Sequence, residues 1–182
     1  MTETELIEEC RKGNLARFRE VVEKTSPFSF SVAFRMLGSE DQALDIVQET
    51  MITVWQKMDR IKSAGSFKTW VYRITLNKCY DAMRRTKRLN EFRPDSKTWA
   101  FISDHISDHG TSELENRENA LIINSLTNRL SPAQKAVFVL AELEEMPNDE
   151  IARITGMSKT AVKSNLYYAR RNIESLIEKY LK

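Results

Sequence analysis

The chain has 182 residues, 41% of them hydrophobic and 30% charged, with a formal net charge of +2. That supplies apolar material for one medium or two small packed domains, while the near-neutral total says nothing by itself about a polyanionic partner. No apolar run approaches the ~20 residues a membrane span needs and the amino terminus is acidic, so the expectation is a cytoplasmic protein without export signal or membrane anchor.

Charge is unevenly placed. Acid gathers at Glu3, Glu5, Glu8 and Glu9 and again at Asp104, Asp108, Glu113, Glu115 and Glu118, while base gathers at Arg84, Arg85, Lys87, Arg88 and at Lys159, Lys163, Arg170, Arg171. Two basic elements separated by an acidic one suggest two contact points on a polyanion. Cys10 and Cys79 match no zinc or redox spacing and read as reduced core thiols.

Helix-start signals recur along the chain. Thr2 with Glu5, Ser39 with Gln42, Ser112 with Glu115 and Ser131 with Gln134 each place a hydroxyl three residues before a carboxylate or amide, the capping-box spacing. No sustained alternation of β-branched residues argues for a sheet, so the fold class is all-α. A first helix is predicted from about Glu3 to Lys12, stopping at Gly13. Asn14 caps a second carrying Leu15, Phe18, Val21 and Val22, and Pro27 opens a third carrying Phe28, Val32, Phe34, Met36 and Leu37.

A fourth helix, about Glu40 to Met58, repeats Ala43, Ile46, Val47, Thr50, Met51, Val54, Trp55 and Met58 at threes and fours, a broad buried stripe. Its opposite face carries Asp45, Gln48, Glu49, Ile52 and Gln56. Ile52 among polar neighbours is either the apolar centre of a partner site or an ordinary exposed apolar residue, and the residues alone leave both open.

Lys62 to Gly65 forms a short loop and Ser66 can cap a helix running to Arg88. Phe67, Trp70, Val71 and Ile74 make one apolar stripe and Tyr72, Leu76, Tyr80 and Met83 another, as expected of a helix in the middle of a bundle. Its remaining face gathers Arg73, Asn77, Arg84 and Arg88 within roughly 60° at ~100° per residue. That face is either a track for a phosphate backbone or the solvated basic edge of a core helix.

From Leu89 to Gly110 periodicity is lost, and Pro94, serines and aspartates mark a linker. His105 and His109, with Asp104 and Asp108, have the spacing of two imidazoles on one helix face, but no third ligand is obvious and a hydrated acidic linker accounts for them better than a metal site. Beyond it Ala120, Ile123, Leu126 and Leu130 share a face, and the Ser131 box with Pro132 at the first helical position starts a helix carrying Ala136, Val137, Leu140 and Leu143.

Asn148 can cap a short helix ending at Gly156, and Ser158 a longer one, with small Ala152 where the two approach: the helix-turn-helix pattern. Val162, Leu166, Ala169, Ile173, Leu176, Ile177 and Tyr180 form the inward stripe of the second helix. Thr160, Lys163, Ser164, Tyr167 and Arg171 form its outward face, suited to base edges and phosphates in a major groove. The competing account is a helical hairpin with a solvated basic face.

The segments Ala43 to Trp55 (ALDIVQETMITVW), Phe67 to Arg85 (FKTWVYRITLNKCYDAMRR) and Leu130 to Arg170 resemble, in order and spacing, bacterial RNA polymerase sigma factors of the small extracytoplasmic-function type. The resemblance spans nearly the whole chain except the linker. It implies two helical domains, residues 1–90 (region 2) and 113–182 (region 4), joined by an acidic linker at 91–112, with no catalytic residues, cofactor or metal. Core RNA polymerase, through its beta-prime and beta subunits, promoter DNA and an anti-sigma factor are the implied partners.

By the same resemblance Asp45, Gln48, Glu49 and Ile52 meet the beta-prime coiled coil. The loop Lys62, Ser63, Ala64, Gly65 with Ser66 captures a flipped base of the minus-ten element, while Lys68, Trp70, Arg73, Asn77, Arg84 and Arg85 hold the nearby strand. Lys159, Thr160, Lys163, Ser164, Tyr168, Arg170 and Arg171 address the minus-thirty-five element. Trp70 and Val71 stand where primary sigma factors carry an aromatic pair used as a melting wedge, and Asn165 stands where an arginine is common. The alternative is a free-standing helix-turn-helix regulator with a partner-binding bundle. No serine, cysteine or carboxylate constellation and no glycine-rich phosphate cradle supports an enzyme.

Overall fold

Helix α1 (Glu3–Arg11) ends where Gly13 takes a left-handed φ of +84°, a conformation open to glycine at no steric cost. Asn14 then starts α2 (Leu15–Leu37) by accepting the Arg17 amide at 3.2 Å through its side chain. The computed structural model describes residues 3–61, 67–90 and 122–180, and every regular element among them is helical. The Thr2 and Ser112 boxes and the His105–His109 pair lie outside these residues.

Pro27 does not open a new helix, contrary to expectation: α2 runs through it unbroken. Its missing donor removes a single helical hydrogen bond. Val21, Thr25, Ser29, Val32, Ala33 and Met36 are buried on both sides of it, and that continuous packing face outweighs the loss. Phe28, one residue on, stacks on Tyr72 with ring centroids 3.9 Å apart. Gly38, φ +72°, closes the helix with its amide on the Phe34 carbonyl at 2.7 Å.

Ser39 caps α3 (Glu40–Gln56), which buries Ala43, Ile46, Thr50, Met51 and Val54. A 3₁₀ turn (Met58–Arg60) follows, then α4 (Phe67–Asn90). Phe67, Val71, Tyr72, Thr75, Leu76 and Cys79 of α4 are buried, with Ile74, Tyr80 and Met83 half-buried beside them. Burying each large apolar side chain in this three-helix packing of α2, α3 and α4 contributes about 1.5–3 kcal/mol.

The second half begins with helical residues 122–127 (α5). In α6 (Pro132–Phe138) both bonds of the Ser131 capping box form, each at 3.2 Å. A π-helical turn (Val139–Leu143) continues it, followed by α7 (Asn148–Thr155) and α8 (Lys159–Tyr180). Asn148 is the first helical residue rather than the cap. Extended Pro147 occupies the cap position, its carbonyl accepting the Ile151 amide at 3.1 Å. Gly156 turns the chain at φ +74°, and Ser158 caps α8 by accepting the Ala161 amide at 3.1 Å. Ile177 is exposed rather than inward, because at ~100° past buried Leu176 it leaves the contact line.

The halves dock. Buried residues of α2, α3 and α4 join Ala136, Val137, Val139, Leu140, Ile151 and Ile154 in one continuous cluster. Polar contacts rim it: Glu144 Oε1 accepts from Ser31 Oγ at 2.6 Å and lies 3.4 Å from Arg35 Nε, and Asn124 Nδ2 donates to the Arg35 carbonyl at 3.2 Å. Lys135 is fully buried among these residues, donating to Asn128 Oδ1 at 2.8 Å.

Candidate partner and nucleic-acid interfaces

The outer face of α3 follows from its register. With Ile46, Thr50 and Val54 buried, residues 44, 45, 48, 49 and 52 turn outward, and Asp45, Gln48, Glu49 and Ile52 are all exposed. Leu44 is 46% and Ile52 56% exposed, two turns apart on one strip that brackets Gln48. Leu44 is the residue sequence reasoning missed; its spacing of eight from Ile52 was the available signal. Glu49 is tied inward, its Oε2 accepting from Lys78 Nζ of α4 at 3.2 Å. Glu49, Lys78, Asp81, Arg84 and Arg85 line a recess of about 400 Å³ between the two helices.

Along α4, Lys68, Arg73, Asn77, Arg84 and Arg85 are exposed. Lys68 Nζ stands 5.6 Å from the Tyr72 ring centroid, and Arg84 pairs with Asp81. Trp70 is half-buried against Phe67, centroids 6.2 Å apart, while Val71 is fully buried and so cannot act as the second half of a wedge. Lys62, Ser63, Ala64, Gly65 and Ser66, and the Arg88 side chain, lie outside the described residues. Arg11, which no sequence signal marks, donates to the carbonyls of Met58 (3.5 Å) and Ile61, holding the chain just ahead of that loop. Arg73 is not turned to solvent alone: its guanidinium donates to the Arg153 carbonyl of α7.

Helix α8 presents Lys159, Thr160, Lys163, Ser164, Tyr167, Tyr168, Arg170 and Arg171 on its exposed side. Tyr167 and Tyr168 are 54% and 56% exposed and meet edge to face with centroids 5.4 Å apart. Arg171 sits over the Tyr167 ring at 5.8 Å and donates to its hydroxyl at 3.1 Å. Lys159 pairs with Asp149 Oδ2 at 2.8 Å, and that hydrogen bond holds the Asp149 carboxyl below its ordinary range. Arg170 Nε meets Glu142 at 3.0 Å. Asn165 folds back, its amide donating to the Ala161 carbonyl at 2.8 Å, so it supplies no outward cation where the resemblance leads one to look for an arginine. Hydroxyls, aromatic edges and cations on one open helix face form a surface suited to a DNA groove. Among the described residues no cluster of His, Cys, Asp and Glu suits a metal ion, and no helix is long and apolar enough to cross a membrane.

Residues 21–89 match the family model for Sigma-70 region 2, and residues 120–173 that for Sigma-70, region 4. The chain is similar to the RNA polymerase sigma factor SigV of Bacillus subtilis, 27% identical over 77% of this chain and 78% of that one. It is also similar to the ECF RNA polymerase sigma-E factor of Haemophilus influenzae, 25% identical over 98% and 96% of the two chains. Its fold is shared with CnrH, solved in complex with the cytosolic domain of CnrY, at a TM-score of 0.70 and 23% identity over 97% of both chains. The sigma factor RpoE of Bartonella quintana, solved with the anti-sigma factor NepR, matches at a TM-score of 0.64 and 22% identity, over 88% of this chain and 96% of that one.

A free-standing regulator has no use for a region 2 bundle, and the match across α2, α3 and α4 disfavours that alternative. With regions 2 and 4 in order on the two halves, the chain belongs to the sigma-70 family of RNA polymerase sigma factors, as one of the extracytoplasmic-function type, and directs promoter-specific transcription initiation.

Proposed function

We propose that the exposed strip of α3 is the surface through which this sigma factor joins core RNA polymerase. Asp45, Gln48, Glu49 and Ile52 meet the beta-prime coiled coil, and the carboxy-terminal half engages the beta subunit. The observation that carries this is the pair Leu44 and Ile52, both open to solvent on either side of Gln48 while the opposite face of the helix is packed. An apolar centre with a polar rim is the anatomy of a docking site.

On this reading residues 1–90 bind core and open the minus-ten element, 91–112 form the linker and 113–182 read the minus-thirty-five element. Lys62 to Ser66 receive the extruded base, offsetting an unstacking cost of a few kcal/mol. Lys68, Trp70, Arg73, Asn77, Arg84 and Arg85 steady the strand through charge and stacking. Lys159, Thr160, Lys163, Ser164, Tyr168, Arg170 and Arg171 lie in the major groove. The protein has no catalytic activity of its own, works in the cytoplasm and is held in reserve by an anti-sigma factor, as the RpoE relative is bound by NepR.

The test is co-purification with core enzyme. Ile52→Asp combined with Gln48→Ala should abolish it while leaving the helical circular dichroism unchanged, since both residues are exposed. Normal core binding by the double variant removes α3 from the interface.

A further inference from the structure

Arg11 closes the first helix, yet its side chain serves a segment 50 positions away. The guanidinium donates through Nη2 to the Ile61 carbonyl and, at a long 3.5 Å, through Nε to that of Met58, while Nη1 pairs with Glu8 one turn back. The 3₁₀ turn Met58–Arg60 ends as Ile61 goes extended at φ −74° and ψ 120°, and carbonyls at such an end run short of intrahelical donors. Arg11 supplies donors there. A planar fork of five N–H groups can hold two carbonyls and a carboxylate at once, which the single flexible ammonium of a lysine cannot reproduce. The Arg11 side chain is only 27% exposed, so its charge is engaged within the protein rather than offered to a phosphate.

The clamp sits at the entrance to Lys62–Ser66. Ile61 on one side and Phe67 on the other are buried, 5% and 4% exposed, so the chain leaves and rejoins the bundle at fixed points. Six residue steps join those points and span at most ~21 Å when extended, and the placement of so short a connection follows from where its ends are held. Helix α1 meets both ends. Arg11 grips Ile61, while Leu6 shares with Phe67 and Lys68 the wall of a recess of about 420 Å³. Burial of Leu6, Ile7 and Cys10 seats α1 independently of Arg11. The helix lies outside residues 21–89, the part of the chain that matches region 2.

We infer that Arg11 is a positioning residue for minus-ten base selection: by fixing the Met58 and Ile61 carbonyls it sets the register in which Lys62–Ser66 meet the extruded base, without touching DNA itself. A recognition group misplaced by about 1 Å loses most of its advantage over a competitor, so the clamp acts on discrimination among bases rather than on affinity for any strand. Glu8 contributes by aiming the guanidinium. The inference rests on the base-capturing role proposed for Lys62–Ser66, whereas the clamp itself does not.

Holoenzyme assembled with core polymerase, on a promoter selected from a random library, tests it. Binding is measured to four single-stranded minus-ten oligonucleotides carrying A, C, G or T at the extruded position. The wild type should prefer its best base by about tenfold or more. Arg11→Ala and Arg11→Lys should each cut that ratio about fivefold, with co-purification with core and binding to a minus-thirty-five duplex unchanged. Full selectivity in Arg11→Lys would show that charge alone suffices and overturns the clamp. An equal loss on all four oligonucleotides, or a parallel loss of core binding, makes Arg11 merely structural and also overturns it. A third variant, with Lys62, Ser63 and Ala64 all changed to glycine, separates the inference from the reading beneath it. If that variant keeps its selectivity, the loop does not choose the base and both fall; if it loses selectivity while the Arg11 variants keep theirs, only the role of Arg11 falls. Adding Arg11→Ala to the glycine variant should lower the ratio no further, because Arg11 acts through the loop, and a further drop overturns that route.

Discussion

Replacing Lys135 with methionine, a chain of similar length without the charge, should stabilise this protein. Burial pushes the Lys135 ammonium down to about 8 from an ordinary 10.5, the nearby Cys79 opposing weakly. A depression of that size corresponds to a cost of about 3 kcal/mol for keeping the charge inside at neutral pH. Asn128, left without its donor, is exposed and turns to water. The pH dependence identifies the cause. Between pH 8 and 10.5 the unfolded chain holds this proton and the folded chain does not, so stability rises with pH.

Cys79, Tyr72 and Tyr80, all pushed up to about 12 by burial, work the other way once their ordinary values of 9 to 10 are passed. The folded form then keeps protons that the unfolded form has lost, and stability falls. The clean window is therefore pH 7 to 9, where the wild type should gain about 1 kcal/mol relative to Lys135→Met. Urea unfolding followed by far-ultraviolet circular dichroism at several pH values measures both quantities. Parallel pH curves for the two proteins, or a variant less stable at pH 7, would refute the account of Lys135 as a desolvated charge.

Three further outcomes can be checked. Gly38→Ala should cost about 2 kcal/mol, because an alanine is strained at φ +72° and its Cβ displaces Asn124 from the Arg35 carbonyl; thermal unfolding reads it. Ser131→Ala removes one bond of the complete capping box and should cost about 1 kcal/mol by the same measurement. Lys163→Ala should weaken binding to a minus-thirty-five duplex by about 1–3 kcal/mol if the lysine reads a base. If it meets phosphate alone, the salt slope falls by about one unit with sequence preference unchanged, and titrations at several salt concentrations separate the two.

The helices were legible because their boundaries are written in local chemistry. Asn14, Ser39, Ser131 and Ser158 are caps whose bonds depend on residues three positions away, and Gly156 is the residue a left-handed turn favours. The α3 strip was legible from one apolar residue out of place. Pro27 misled because a proline signals a boundary only where packing does not carry the helix past it. Docking of the two halves was not legible at all. Ser31, Arg35, Asn124 and Glu144 are separated by up to 113 positions, and none has a composition or period that marks it as an interface residue. Lys135 carries no mark in the sequence that sets it apart from the chain's other lysines, yet the fold buries it completely.

The π-helical turn at Val139–Leu143 gives this architecture a control that depends on chain length rather than side-chain chemistry. A π turn is an α-helix with one residue inserted, and each residue advances the helix by ~100°. Here that offset lets Glu142 reach Arg170 within its own half while Glu144, two positions on, reaches Arg35 in the other. Removing a single residue from the turn would swing everything after it by about a quarter-revolution, turning Glu144 from its partners without altering one contacting side chain. Among proteins built on this plan, insertions and deletions at this one turn are thus a route to retuning how tightly the halves associate, independent of substitution.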